Sequence, residues 1–318
     1  MKHIGRAAMA RISDRLSWVD RYFCEAGGCH PVPIIVTGPA RSGTTLLYQS
    51  LASGLGVSYT PRFLDSFPGA PVLGALAYRW FVRKRENVEY CSQYGKEEGA
   101  AGLSQCHSIW GRWFDVNCPG VLLEEQRSLE FRRVLWGLEA QLGRPLALKW
   151  PGFVAHLEAL NQALPSAFFV FTDRDTFPLA RSIAKGRLDL KGSLDFGISR
   201  SPSGYHLHEV EDGVKDVVRY IRDVRGEVAR FCQSIDDRRF CHVRYEDLCG
   251  GPYGVVDNIA AMYNDWSNAD LQLSNRLPVG FNCSPGPDLG ELGNRIWSEI
   301  VSSESESTSG GVGSREGA

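Results

Sequence analysis

The chain has 318 residues, 43% of them hydrophobic, with 35 Lys and Arg against 37 Asp and Glu. A formal charge of −2 leaves no basic footprint for nucleic acid, and a chain this long buries about three-quarters of its unfolded surface without a staple. The nine Cys (Cys24, Cys29, Cys91, Cys106, Cys118, Cys232, Cys241, Cys249, Cys283) are odd in number and lack CxxC pairs, which argues against a disulfide scaffold or zinc site and fits a reducing cytoplasm.

Arg6, Arg11, Asp14 and Arg15 interrupt the opening stretch, so no signal peptide is expected. Met9, Ile12, Leu16, Val19 and Phe23 recur at helical spacing and predict an amphipathic helix. Val32 to Val36 then reads as a short buried strand, ended by Gly38-Pro39. A helical pattern covers Leu46 to Leu55. The best apolar run, Ala70 to Phe81, is broken by Pro71 and Arg79 and is too short to cross a bilayer, so no membrane association is expected.

Further along, helical patterns at Leu122 to Leu142, Val154 to Leu164, Pro178 to Ala184 and Val214 to Phe231 alternate with apolar runs at Leu146 to Leu148, Phe168 to Phe171 and Phe240 to Val243. That alternation predicts βαβ units around a parallel sheet. Lys191 to Gly204 reads as a long loop, either a lid or simply mobile surface. Ser302 to Ala318 holds almost nothing apolar and reads as a disordered tail.

The strongest local signal is Gly38-Pro39-Ala40-Arg41-Ser42-Gly43-Thr44-Thr45, between a buried strand and a helix. Its glycines permit a tight turn with inward N–H groups, the helix start adds a positive dipole end, and Ser42, Thr44 and Thr45 add hydroxyls. The spacing is that of the phosphate loop GxxxxGK[ST], with Thr44 in place of the Lys. Arg41 supplies a cation whose planar fork suits phosphate or sulfate oxygens. Further on, Arg174 stands at a strand end and Ser182 lies eight residues later on a helix. The two either surround one phosphate, or Arg174 pairs with Asp173 or Asp175.

Ala40 to Leu47 resembles the phosphosulfate loop PRSGTTLL of sulfotransferases that use 3′-phosphoadenosine 5′-phosphosulfate (PAPS), departing only at Ala40. Three later segments follow in the family's order. Arg174 and Ser182 match the pair that binds the 3′-phosphate there, with Thr176 where Pro is common. Leu148-Lys149-Trp150-Pro151 resembles LKxP, whose Lys approaches the bridging oxygen; Arg244 to Leu248 resembles RYEDL, whose Tyr, here Tyr245, lies near the adenine.

The resemblance implies a three-layer α/β sandwich with a central parallel β-sheet and a P-loop-like phosphosulfate-binding loop. It would be a single domain over residues 1–301, with a nucleotide core near 32–250 and an acceptor-side insertion near 60–120. Donor-site residues would be Arg41, Ser42, Gly43, Thr44, Thr45, Arg174, Ser182 and Tyr245, and Lys149 would be catalytic. The implied reaction moves a sulfuryl group from PAPS to a hydroxyl of a small molecule or glycoside without a metal ion.

The attacking hydroxyl needs a proton acceptor. His107, in an aromatic segment and of a residue type that titrates near neutrality, ranks first. Asp65, roughly where some branches of the family carry a Glu, ranks second, ahead of Glu97-Glu98; His156, on a helix pattern, reads as structural. Trp80, Phe81, Tyr90, Tyr94, Trp110, Trp113 and Phe114 either line an acceptor pocket or pack beneath long loops. Two other functions fit parts of the sequence. A small-molecule kinase would use Asp173 as a Walker-B carboxylate, and a non-catalytic relative would bind nucleotide alone.

Overall fold

The computed structural model describes residues 9–20 except 10 and 19, 32–82, 99–115, 118–143, 145–195, 212–274 and 276–309. Four strands, β1 (Ile34–Thr37), β2 (Ala147–Lys149), β3 (Phe168–Asp173) and β4 (Phe240–Arg244), form a parallel sheet in the order β2-β1-β3-β4. Their side chains alternate between two buried faces. Ile35, Leu148, Phe169 and Phe171 enter one core, and Ile34, Val36, Ala147, Phe168, Val170 and Val243 enter the other. Burial on both sides is why β1, β2 and β3 read as largely unbroken apolar runs, whereas β4, at the sheet edge, alternates buried Cys241 and Val243 with exposed His242 and Arg244.

The helices are α1 (Thr44–Gly54), α2 (Pro71–Phe81), α3 (His107–Trp110), α4 (Glu125–Leu142), α5 (Leu157–Ala163), α6 (Thr176–Lys191), α7 (Gly213–Ser234), α8 (Tyr245–Gly250), α9 (Pro252–Ser267) and α10 (Glu291–Ser309). Leu135, Leu160, Ile183, Val224 and Ile296 bring α4, α5, α6, α7 and α10 onto the first face. Leu47, Leu51, Val256 and Ile259 bring α1 and α9 onto the second. The result is the expected three-layer α/β sandwich.

Several elements differ from the sequence reading. The Ala70 to Phe81 run is helix α2: Pro71 opens it with a preset φ, and the Asp20 carboxylate accepts from Val72 N–H at 3.1 Å and Leu73 N–H at 2.9 Å. The Val154 to Leu164 pattern splits into a 3-10 turn (Pro151–His156) and α5. Helix α10 runs on through the first part of the Ser302 to Ala318 stretch, as far as Ser309. Ile296 and Ile300 anchor that helix in the core, and the hydroxyls of Ser302 and Ser303 fold back onto the carbonyls of Ser298 and Ile300.

Residues 310–318, most of the Lys191 to Gly204 loop, Val19 and Phe23 lie outside the described residues. No helix among the described residues is long and apolar enough to cross a membrane.

The sheet order positions the site. From β1 the chain passes to β2 on one side and then to β3 on the other. Such a reversal opens a crevice at the carboxyl ends of the two diverging strands, where α/β proteins take up ligands.

Candidate functional site

The turn after β1 brings the Gly38–Thr45 loop into that crevice. Two glycines are indispensable to its shape. At Gly38 (φ 150°) a Cβ would stand 2.3 Å from the Thr172 carbonyl oxygen, and at Gly43 (φ 90°) it would stand 2.5 Å from the Tyr245 ring. The loop is pinned from β3 and α7. Ser42 Oγ donates to the Pro39 carbonyl at 2.8 Å and lies 2.7 Å from Thr172 Oγ1, while Ala40 N–H donates to the Tyr220 hydroxyl at 2.9 Å. α1 starts at Thr44 with no side-chain cap, so its dipole end faces the loop.

Lys149, the last residue of β2, pairs in register with Val36 of β1. Its Nζ donates to Thr45 Oγ1 at 2.9 Å. The neighbouring strand therefore delivers a lysine to the loop that lacks one at position 44. The ammonium is buried, and burial, reinforced by the Arg41 charge, pulls its pKa down from 10.5 to about 7.

Arg41 carries the unusual φ of 70°, its Nε donates to Ser182 Oγ of α6 at 3.2 Å, and its carbonyl accepts from Arg174 Nη1 at 3.4 Å. Neither acid beside Arg174 takes its guanidinium, because Asp173 pairs with Arg225 and Asp175 with Arg244. Instead the buried guanidinium lies 4.5 Å above the Tyr245 ring, donates to the Ser284 carbonyl, and leaves its Nε without a hydrogen-bond partner. Tyr245 accepts from Ser284 N–H at 3.4 Å through its hydroxyl. Arg41, Ser42, Gly43, Thr44, Thr45, Lys149, Arg174, Ser182 and Tyr245 thus form one connected cluster.

The sequence reading missed the Phe281 to Pro287 segment that covers this cluster. Its Ser284, Gly286 and Pro287 carbonyls accept from Arg174 and Arg181. Backbone carbonyls belong to every residue, so no motif announces them.

A second feature joins the two proton-acceptor candidates. Residues 58–61 run parallel to β2, with Ser58 bridged to Leu146, which carries the following residues toward the carboxyl edge of the sheet. There a cleft of about 220 Å³ is lined by Arg62, Asp65, Ser104, Gln105 and His107, among others. His107 is exposed, while Asp65 Oδ1 accepts from Ser104 Oγ at 2.8 Å. Glu97-Glu98, Tyr90 and Tyr94 lie outside the described residues.

The remaining aromatics mostly resolve as packing. Trp110, Trp113 and Phe114 are buried against Phe131, whereas Trp80 and Phe81 are exposed. His156 is buried against Phe114, and desolvation lowers its pKa to about 4, which suits a neutral core residue. Among the described residues no group of three or more His, Cys, Asp or Glu could hold a metal ion.

A sulfotransferase family profile matches residues 33–264, from the first strand into α9. No curated protein matches the chain. Among solved structures, sulfotransferase STF1 from Mycobacterium tuberculosis H37Rv is 15% identical, with a TM-score of 0.50 over 92% of this chain and 82% of that one. Sulfotransferase STF9 from Mycobacterium avium is 16% identical, with a TM-score of 0.49 over 88% and 70% respectively. The profile takes in the phosphate loop, the β2 lysine and the Arg174–Ser182 pair alike, and the chain belongs to the sulfotransferase family.

Proposed function

We propose that the protein transfers the sulfuryl group of PAPS to a hydroxyl of a small-molecule or glycoside acceptor, releasing adenosine 3′,5′-bisphosphate. The observation that carries this reading is the Lys149–Thr45 contact at 2.9 Å, which puts a cation from a second strand at the phosphate loop. The fit to the donor is supported by the cradle at Gly38 and Gly43, closed to any Cβ, and by the unpartnered buried Nε of Arg174. Arg174 and Ser182 would hold the 3′-phosphate, and the loop N–H groups with Ser42, Thr44, Thr45 and Arg41 would hold the 5′ side. Tyr245 would flank the adenine.

Bound donor supplies an activated sulfuryl group on a phosphate leaving group. In an in-line displacement the acceptor oxygen forms its bond to sulfur as the bond to the bridging phosphate oxygen breaks. Lys149 would donate to that oxygen as negative charge gathers on the departing phosphate. The acceptor proton would pass to His107, or to Asp65 in the same cleft. No metal enters the scheme. Asp173, the carboxylate a kinase would need for Mg²⁺, is engaged by Arg225 Nε at 2.8 Å.

Incubation with PAPS and a panel of hydroxyl acceptors, following release of adenosine 3′,5′-bisphosphate in EDTA, tests the proposal. Acceptor-dependent release is expected. Nucleotide binding without turnover on any acceptor would support a non-catalytic relative instead.

A further inference from the structure

Arg225 sits on α7, far in sequence from the turn between β3 and α6, yet nearly all its hydrogen-bonding capacity is spent there. Its Nε donates to Asp173 Oδ2 at 2.8 Å and its Nη2 to Asp173 Oδ1 at 3.0 Å, a bidentate fork. Nη2 also donates to the Arg174 carbonyl at 2.7 Å, and Nη1 donates to Thr176 Oγ1 at 2.8 Å. Asp173 Oδ1 in turn accepts from Arg174 N–H at 2.8 Å. The backbone of Arg174 is therefore gripped on both sides, its N–H by Asp173 and its carbonyl by Arg225.

We infer that Arg225 is a positioning residue for recognition of the donor's 3′-phosphate, acting through Asp173, Thr176 and the Arg174 backbone; this rests on the donor-site reading above. An ordinary surface ion pair does not need this arrangement. One pair of charges would be satisfied by the fork alone, but Arg225 adds bonds to Arg174 and Thr176, which follow Asp173 through the turn into α6. Both reach the site. The Arg174 carbonyl fixes where that side chain departs, and Thr176 begins α6, the helix that presents Ser182 to Arg41. Arg225 itself makes none of its hydrogen bonds to the phosphate loop, so its effect on a ligand there must pass through the turn. A loosened turn would leave the 5′ side of the nucleotide site intact and misplace the groups meant for the 3′-phosphate. Displacement of a ligand group by about 1 Å is enough to cost a large part of its interaction.

The side chains of Arg225 and Asp173 are 35% and 43% exposed, so substitution there removes hydrogen bonds without emptying the core. The experiment is a set of calorimetric titrations of the full chain with adenosine 3′,5′-bisphosphate and with ADP. Wild type is compared with Arg225→Gln, Arg174→Ala and the double variant, and Asp173→Asn provides a second route to the same turn. Arg225→Gln is expected to weaken adenosine 3′,5′-bisphosphate binding about tenfold while ADP binding stays within twofold of wild type. In the Arg174→Ala background it is expected to add little, as coupled residues do, and Asp173→Asn is expected to follow Arg225→Gln. Equal losses for both nucleotides, or losses that add in the double variant, would overturn the positioning role. If Arg174→Ala itself leaves the preference for adenosine 3′,5′-bisphosphate untouched, the donor-site reading fails and takes this inference with it, whatever Arg225→Gln does.

Discussion

In the proposed reaction Lys149 would carry much of the chemistry. A lysine with a pKa near 7 is only part-charged at neutral pH, and phosphates brought beside it would favour the ammonium again. Lys149→Ala is expected to lower turnover by a hundredfold or more, on the order of losing one stabilising donor, while changing affinity for adenosine 3′,5′-bisphosphate much less. Steady-state rates with separate titrations check this; a larger loss in affinity than in turnover would make Lys149 a ground-state contact. His107→Ala is expected to cost turnover about a hundredfold with nucleotide affinity preserved, and unaltered turnover would move the proton acceptor to Asp65. At this scale the sequence singled out Arg41, Arg174 and Ser182 by their own functional groups, and the fold brings the three together. The sequence was silent on Tyr220 and Ser284, whose contributions depend on where the fold brings a hydroxyl or a carbonyl.

The loop and its following helix are the element on which the rest depends. Gly43 answers to two constraints at once, a left-handed φ and a tyrosine ring against its missing side chain. Gly43→Ala is expected to destabilise the fold by roughly 1–2 kcal/mol from the backbone alone and to weaken nucleotide binding strongly, because Tyr245 must also shift. Thermal unfolding and the same titration measure the two effects; full stability and affinity would mean the loop adapts. The strands and most long helices were legible because burial writes its period into the sequence. Helix α2 was not, since its apolar run matched no single face, and α10 was not, since its polar second half is held by an anchor nearer its start. The cleft lined by Asp65 and His107 was half legible. Asp65 and His107 were both candidates, but the pairing of Pro61 with Leu103 that brings their segments together is a tertiary contact with no local signature.

For the whole molecule, a buried lysine with a lowered pKa sets a sign for stability against pH. Between about 7 and the ordinary lysine value the unfolded chain holds a proton that the folded chain lacks, so unfolding free energy should rise with pH across that window. The destabilisation is complete below the folded pKa and fades as pH climbs toward the unfolded one. Lys149→Met is therefore expected to raise Tm most at or below neutral pH, by an amount that shrinks toward pH ~10. A Tm gain that does not vary with pH would contradict the charged burial. Three layers and a reversal of strand order then explain why residues from four separate stretches of chain meet: β1, β2 and β3 all end at the same edge of the sheet, and α8 follows β4 there too.

The most direct test of the account is calorimetric titration of the wild-type protein with adenosine 3′,5′-bisphosphate, ADP and ATP in EDTA. The account predicts metal-free binding in which the 3′-phosphate improves affinity by about tenfold or more over ADP, the scale of charge-assisted hydrogen bonds. Preference for ATP, emerging only when Mg²⁺ is restored, would contradict it.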